Sequence, residues 1–192
     1  TPAYVALESE AELAGVAEAL GLPLIVKPPH EGSTLGLSKV SEVGQLQAAY
    51  RLASRYEPLV LAEQFIKGRE LTVPVLGKGA KARALPIVEI VAPQGNYDYE
   101  NKYFSNETRY LCPAELSDET AALVRRLAEQ AYRALGCEGW GRADFMLDER
   151  GQPWLLEMQP ECYLEIGEKL AEKLGIKNGQ KVKVSATRGQ VE

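Results

Sequence analysis

Histidine occurs once in this chain of 192 residues, methionine twice and cysteine three times. The cysteines, Cys112, Cys137 and Cys162, form no CxxC pair. That spacing argues against a zinc site or a disulfide framework, and makes a reducing cytoplasm the expected compartment. No apolar run approaches the ~18 residues that a membrane span requires. The opening Thr1-Pro2-Ala3-Tyr4 has no charged segment leading into an apolar one, so no signal peptide is expected. Positive charge is also short. Against 27 acidic residues stand 22 Lys and Arg, and the net charge of −5 disfavours nucleic acid or an anionic membrane as partner. What is present is ordinary: 45% apolar and 26% charged residues, enough for one domain or for two small lobes sharing a core.

Local patterns divide the chain into short alternating elements. Ser9 and Glu12 form a capping-box pattern, and Leu13, Val16, Ala17 and Leu20 continue it at helical spacing until Gly21. Leu24–Lys27 reads as a buried strand closed by Pro28-Pro29. A glycine-bearing turn, His30–Gly36, follows, and a second helix is expected from about Ser41 to Tyr56. Strands are expected at Leu59–Phe65, Glu70–Leu76 and Ala84–Val91, and residues 92–113 read as a long polar loop. Ser117-Asp118-Glu119 opens a strong helix that closes near Gly136.

The stretch from Gly141 to Gln159 carries the most chemistry. A hairpin turn centred on Arg150-Gly151 pairs Ala143 with Met158, Phe145 with Leu156, and Leu147 with Trp154 on one apolar face. The other face then pairs Arg142 with Gln159, Asp144 with Glu157, and Met146 with Leu155. Two carboxylates set opposite each other repel across about 4.5–5.5 Å, and a divalent cation such as magnesium relieves that repulsion. Arg142 on the same face suits negative charge developing in a reaction. The alternative is two solvated acids on an exposed face.

Lys27 ends a strand beside a turn with two glycines, a serine and a threonine, groups able to wrap phosphate oxygens. The turn HEGSTLG matches neither the Walker nor the Rossmann pattern, and taken alone it reads more readily as a surface turn with a solvated lysine. Glu63 and Glu70 flank Phe65 and Ile66, which offer apolar walls for a base-binding slot or form an ordinary hairpin. His30 reads as incidental and the cysteines as structural, while Tyr97, Tyr99 and Tyr103 serve equally as packing for the long loop.

In order, the stretches PLIVKPPHEGSTLGLSKV, LAEQFIKGRELTVPVLG, LPIVEI, NYDYENKYFSNETRYLCPA and GCEGWGRADFMLDERGQPWLLEM resemble the D-alanine–D-alanine ligase family. The resemblance implies an α+β fold: an ATP-grasp core of two α+β lobes with antiparallel sheets. The lobes would be residues 1–76 (small) and 77–159 (large, with the metal-binding hairpin). It implies ATP and one or two magnesium ions as cofactors. Lys27 and Lys102 would contact phosphates, and Glu31, Ser33 and Thr34 would lie in the phosphate-covering loop. Glu63 and the Phe65-Ile66 backbone would meet adenine, and Glu70 the ribose. Asp144, Glu157 and Gln159 would ligate metal, Arg142 would stabilise the reacting acyl centre, and Tyr103 would favour an amine as second substrate. The implied reaction joins two D-alanines through an acyl phosphate, for peptidoglycan precursor synthesis.

The resemblance stops near Gln159. An asparagine ligand and a Ser/Gly substrate loop are expected there, whereas this chain continues Gln159-Pro160-Glu161-Cys162. Residues 160–192 resemble instead a short β/α piece, partial and double-psi-barrel-like, of the molybdopterin-dinucleotide-binding domain of formate-dehydrogenase-type oxidoreductases. A chimera is therefore one expectation, with little or no dipeptide synthesis by this chain alone. An engineered or recombined structural domain without activity is the alternative. The family's amino-terminal lobe is expected to be absent before Thr1. Apolar surface where it would dock is a reason to expect association, such as a homodimer.

Overall fold

The computed structural model describes residues 1–30, 35–91 and 108–160. By its contacts the chain divides into one unit of Thr1–Glu161 and another of Cys162–Glu192. The described residues belong to the first, so the expectation for residues 160–192 lies outside them except at Pro160. No helix among the described residues is long and apolar enough to cross a membrane.

Two antiparallel sheets follow each other along the chain. The first contains β1 (Tyr4–Leu7), β2 (Leu24–Lys27), β3 (Ser38–Val40) and β4 (Val60–Gln64), in the order β1-β4-β2-β3. Helices α1 (Val16–Leu20) and α2 (Leu46–Ala53) are its helical partners. Leu46, Ala49, Tyr50 and Ala53 are buried at helical spacing, and they share a core with Leu24, Val26, Val60 and Ala62. Strand alternation therefore sends Ile25, Lys27, Leu61 and Glu63 to the opposite face.

The second sheet begins with β5 (Gly68–Lys78), which pairs with β6 (Arg83–Ala84) and β7 (Val88–Val91) on one side. On the other side lies β9 (Glu138–Asp148), followed by β10 (Pro153–Pro160), while β8 (Arg109–Leu111) extends the edge beyond β7. Helix α3 (Asp118–Ala134) packs Val124, Ala128 and Tyr132 against Leu71, Val73, Val75, Ala143 and Phe145. Its N-cap is Ser117, whose Oγ accepts the Thr120 amide at 3.2 Å. Gly68 lies tight against β9. A Cβ there would lie 2.0 Å from the Leu147 carbonyl oxygen, so only hydrogen fits.

The architecture is the expected α+β arrangement of antiparallel sheets with helices, and several local expectations need correction. The helix expected from Ser9 is broken into a 3-10 turn at Glu10–Leu13 and α1, because Gly15 between them takes φ +82°. Ser9 and Glu12 do interact, Oγ donating to Oε1 at 3.1 Å, without closing a helix N-terminus. The expected strand at Ala84–Val91 is interrupted by Pro86, which has no amide to donate to the ladder. Arg109–Leu111, expected as loop, is a strand. The strand expected to close the first lobe at residue 76 pairs along its length with the second sheet, so the sheets change over at residues 65–67.

The hairpin register is the most informative difference. Asp148 N donates to Gln152 O at 3.0 Å and Gly151 N to Asp148 O at 2.9 Å, leaving a three-residue loop, with Gly151 at φ +78°. Near this turn the pairs are Leu147–Pro153, Met146–Trp154 and Phe145–Leu155, one residue off the expected register. A bulge between Leu155 and Glu157 absorbs the difference. Beyond it Asp144 pairs with Glu157, Ala143 with Met158 and Arg142 with Gln159, as the pattern of apolar faces requires. Leu155 and Met158 thus pack towards the core, whereas Trp154 turns away from it and donates Nε1 to Asp148 Oδ2 at 3.0 Å.

Candidate functional site

Each sheet has one face covered by helices and one face that carries the charged candidates. On the first, Ile25 sits opposite Glu63 and Lys27 opposite Leu61. Lys27 and Glu63 are therefore diagonal neighbours, and Lys27 Nζ lies 2.7 Å from Glu63 Oε2. Both side chains are largely shielded, at 22% and 14% exposure, so this pair is screened less than a surface ion pair. Lys39, opposite Ile25 on β3, extends over this same face, and its Nζ is 3.9 Å from the centroid of the Phe65 ring. Phe65 and Ile66 are half-buried in the connection to β5, and the Phe65 amide donates to Pro23 O at 3.4 Å.

On the second sheet, β5 and β9 place Glu70 opposite Met146, Thr72 opposite Asp144, and Pro74 opposite Arg142. Continuing across β10 puts Glu157 and Gln159 in the same rows. The result is an acidic centre with polar flanks. Thr72 Oγ1 donates to Asp144 Oδ1 at 2.7 Å. The Arg142 guanidinium grips the same carboxylate, with Nε 2.9 Å from Oδ1 and Nη2 2.8 Å from Oδ2. Gln159 Nε2 donates to Glu157 Oε1 at 2.5 Å. The register therefore brings together all four hairpin residues that the sequence singled out. It also engages Arg142 with Asp144.

Among the described residues no group of three or more His, Cys, Asp or Glu is placed to hold a metal ion. Two carboxylates and an amide oxygen are nevertheless a hard-oxygen donor set. Magnesium is commonly held by one or two carboxylates, with waters and substrate phosphates completing its shell, and the donors present fit that requirement. Glu31, Ser33, Thr34, Lys102 and Tyr103 lie outside the described residues.

Thr72 and Lys39 were not anticipated. Thr72 is two residues beyond Glu70, and its role depends on which residue of β9 it faces, a register with no local sequence signal. The helix-covered side of this sheet holds another ion pair. Arg69 Nε and Nη2 donate to Glu89 Oε1 and Oε2 at 2.8 and 2.6 Å, and Nη2 also reaches Glu115 O at 2.9 Å. The guanidinium holds the largely buried Glu89 carboxyl below its ordinary pKa despite the opposing effect of burial.

The family model described as the D-ala D-ala ligase C-terminus matches residues 2–161. The chain belongs to this family. Curated relatives include the D-alanine–D-alanine ligases of Bordetella avium, 60% identical over 158 residues, and of Bordetella pertussis, 63% identical over 158 residues. Each alignment covers 82% of this chain and 50% of the relative, so the chain spans about half the length of the curated relatives it matches. Among solved structures, the VanG D-Ala:D-Ser ligase of Enterococcus faecalis superposes with a TM-score of 0.73 at 31% identity. That match covers 83% of this chain and 47% of the other. D-alanyl-alanine synthetase A of Vibrio cholerae gives a TM-score of 0.71 at 28% identity, covering 83% and 50% respectively. Membership of the D-Ala–D-Ala ligase C-terminus family accounts for an ATP-grasp fold of antiparallel sheets. It ends where the sequence resemblance ended. The likeness of residues 160–192 to a molybdopterin-binding domain, and with it the chimera, finds no support in these comparisons.

Proposed function

We propose that this chain carries the ATP- and magnesium-binding half of a cytoplasmic ATP-dependent carboxylate–amine ligase of the D-alanine–D-alanine type. The observation that carries the reading is the row Thr72–Asp144–Glu157 beside Arg142 and Gln159, on a face that the helices leave uncovered. Residues 1–64, which carry the first sheet, and 68–160, which carry the second, would act as the small and large lobes, with the nucleotide between them.

Lys27 would bind phosphate, aided by Lys102 and by Glu31, Ser33 and Thr34 in the turn that follows. Glu63 and the Phe65-Ile66 segment would meet the base, and Glu70 the ribose hydroxyls. Asp144, Glu157 and Gln159 would hold magnesium, with Thr72 orienting the Asp144 carboxylate. The bound metal supplies charge neutralisation between phosphate oxygens. In the reaction a D-alanine carboxylate attacks the γ-phosphorus of ATP and ADP leaves. The amine of a second D-alanine then attacks the acyl carbon and phosphate departs. Arg142 would stabilise the negative charge on the acyl oxygen, and Tyr103 would favour the amine substrate. No covalent enzyme intermediate is needed; the residues position reactants and offset charge. Peptidoglycan precursor synthesis is the corresponding role.

Calorimetric titration of ATP with and without magnesium tests the reading. Magnesium-dependent binding is expected, and its loss in an Asp144→Ala/Glu157→Ala double variant. A folded wild-type chain that binds no nucleotide would overturn the proposal.

A further inference from the structure

On the open face of the first sheet one row crosses all four strands. Tyr4 pairs with Glu63, Glu63 with Ile25, and Ile25 with Lys39. Val40 is buried opposite Leu24, so strand alternation sends Lys39 to this open face. Glu63 and Lys39 thus stand two strands apart, roughly 9–10 Å across the sheet. The half-buried Ile25 is the apolar floor between them. Glu63 is taken by Lys27 at 2.7 Å, and the exposed Lys39 meets an aromatic ring instead. Its ammonium lies 3.9 Å from the centroid of Phe65, whose ring is half-buried. A floor, a carboxylate, an aromatic face and a cation therefore surround one slot.

A cation on an aromatic face is held weakly at an exposed site, whereas a nucleobase stacked on such a ring is held more strongly. A base entering over Ile25 therefore takes the Phe65 face from the ammonium. The lysine need not leave. Its flexible four-carbon stem lets the charge move outward by the thickness of one ring and settle on the base's outer face. The methylenes of the same stem then cover apolar surface of the base. Resting on the nucleotide reading above, we infer that Lys39 is the outer wall of the base slot, closing over a purine that stacks on Phe65. Glu63 accepts from the exocyclic amine of that purine. Lys27, one row further along beside Leu61, keeps the phosphate end.

The test separates base from phosphate. Magnesium–ATP, adenosine and magnesium–tripolyphosphate are titrated against the full chain and its variants. Lys39→Ala is expected to weaken ATP and adenosine alike, by about three- to fivefold, and to leave tripolyphosphate unchanged. Lys39→Arg keeps a cation for the π face and should match wild type, while Lys39→Met keeps only the stem and should fall between. Stronger adenosine binding by Lys39→Ala would make the lysine a competitor for the ring and overturn the inference. Loss of ATP and tripolyphosphate with adenosine unchanged would assign Lys39 to phosphate, with the same result. No change in any ligand, or equal loss of all three, overturns it as well, and the nucleotide reading survives each of these outcomes. A wild-type chain that binds tripolyphosphate but not adenosine removes the base slot. A folded wild-type chain that binds none of the three defeats the nucleotide reading itself, and the role of Lys39 with it.

Discussion

At the scale of single residues, three charge pairs divide by the face of the sheet they occupy. Lys27–Glu63 and Arg142–Asp144 lie on the uncovered faces, where an incoming nucleotide could exchange partners with them. Arg69–Glu89 lies on the helix-covered side, fixed by two guanidinium contacts and by Glu115 O, and reads as structural. The depressed Glu89 pKa has a defined consequence for stability. Its folded value is below the unfolded value of about 4.3, so the stabilisation is fully present above that pH and is lost as pH falls through the folded value. Glu89→Gln should cost about 1–3 kcal/mol at pH 7 by urea unfolding, and the gap to wild type should narrow below about pH 4. An undiminished gap at pH 3 would assign the effect to packing. That this acid is structural was not legible in the sequence, where it sits in LPIVEI as one more charge on a strand.

At the scale of elements, β5 and β9 form the long pair on which the site depends, running from Gly68–Asp148 to Lys78–Glu138. Gly68 permits that pairing at its Asp148 end. A methyl group there meets backbone rather than a flexible side chain, so the strands themselves must move apart. Gly68→Ala is expected to destabilise the fold by about 1–3 kcal/mol, read as a lowered denaturation midpoint. A neutral result would show that the approach relaxes freely. The β9–β10 hairpin shows how far an apolar pattern can carry an element. It gave the correct opposition of Asp144 and Glu157, because Ala143 and Met158 must share the core face. It missed the three-residue turn and the bulge, since each shifts the register by one residue and the two shifts cancel before the site is reached.

For the whole molecule, the two sheets follow one plan, helices on one face and candidate ligands on the other. Charge reversal or removal on either sheet should then act on nucleotide rather than on folding. Lys27→Met in the first sheet and Asp144→Asn in the second are each expected to weaken magnesium–ATP at least tenfold, with melting temperatures near that of wild type. Unchanged affinity in Lys27→Met would remove the first sheet from the proposed site.

The amino-acid sequence by itself determined the alternation of short strands and amphipathic helices, the limits of α3, and the opposition of the two carboxylates. Each follows from periodicity, capping or the need to bury one face, which are local properties. Tertiary structure alone decided that Thr72 faces Asp144 and that Lys39 covers Phe65. It also decided that β5 belongs to the second sheet. These are contacts between segments far apart in the chain, set by strand register and by how helices seat on sheets. No short stretch of sequence encodes them, because each side chain meets its partner only after both elements have been placed.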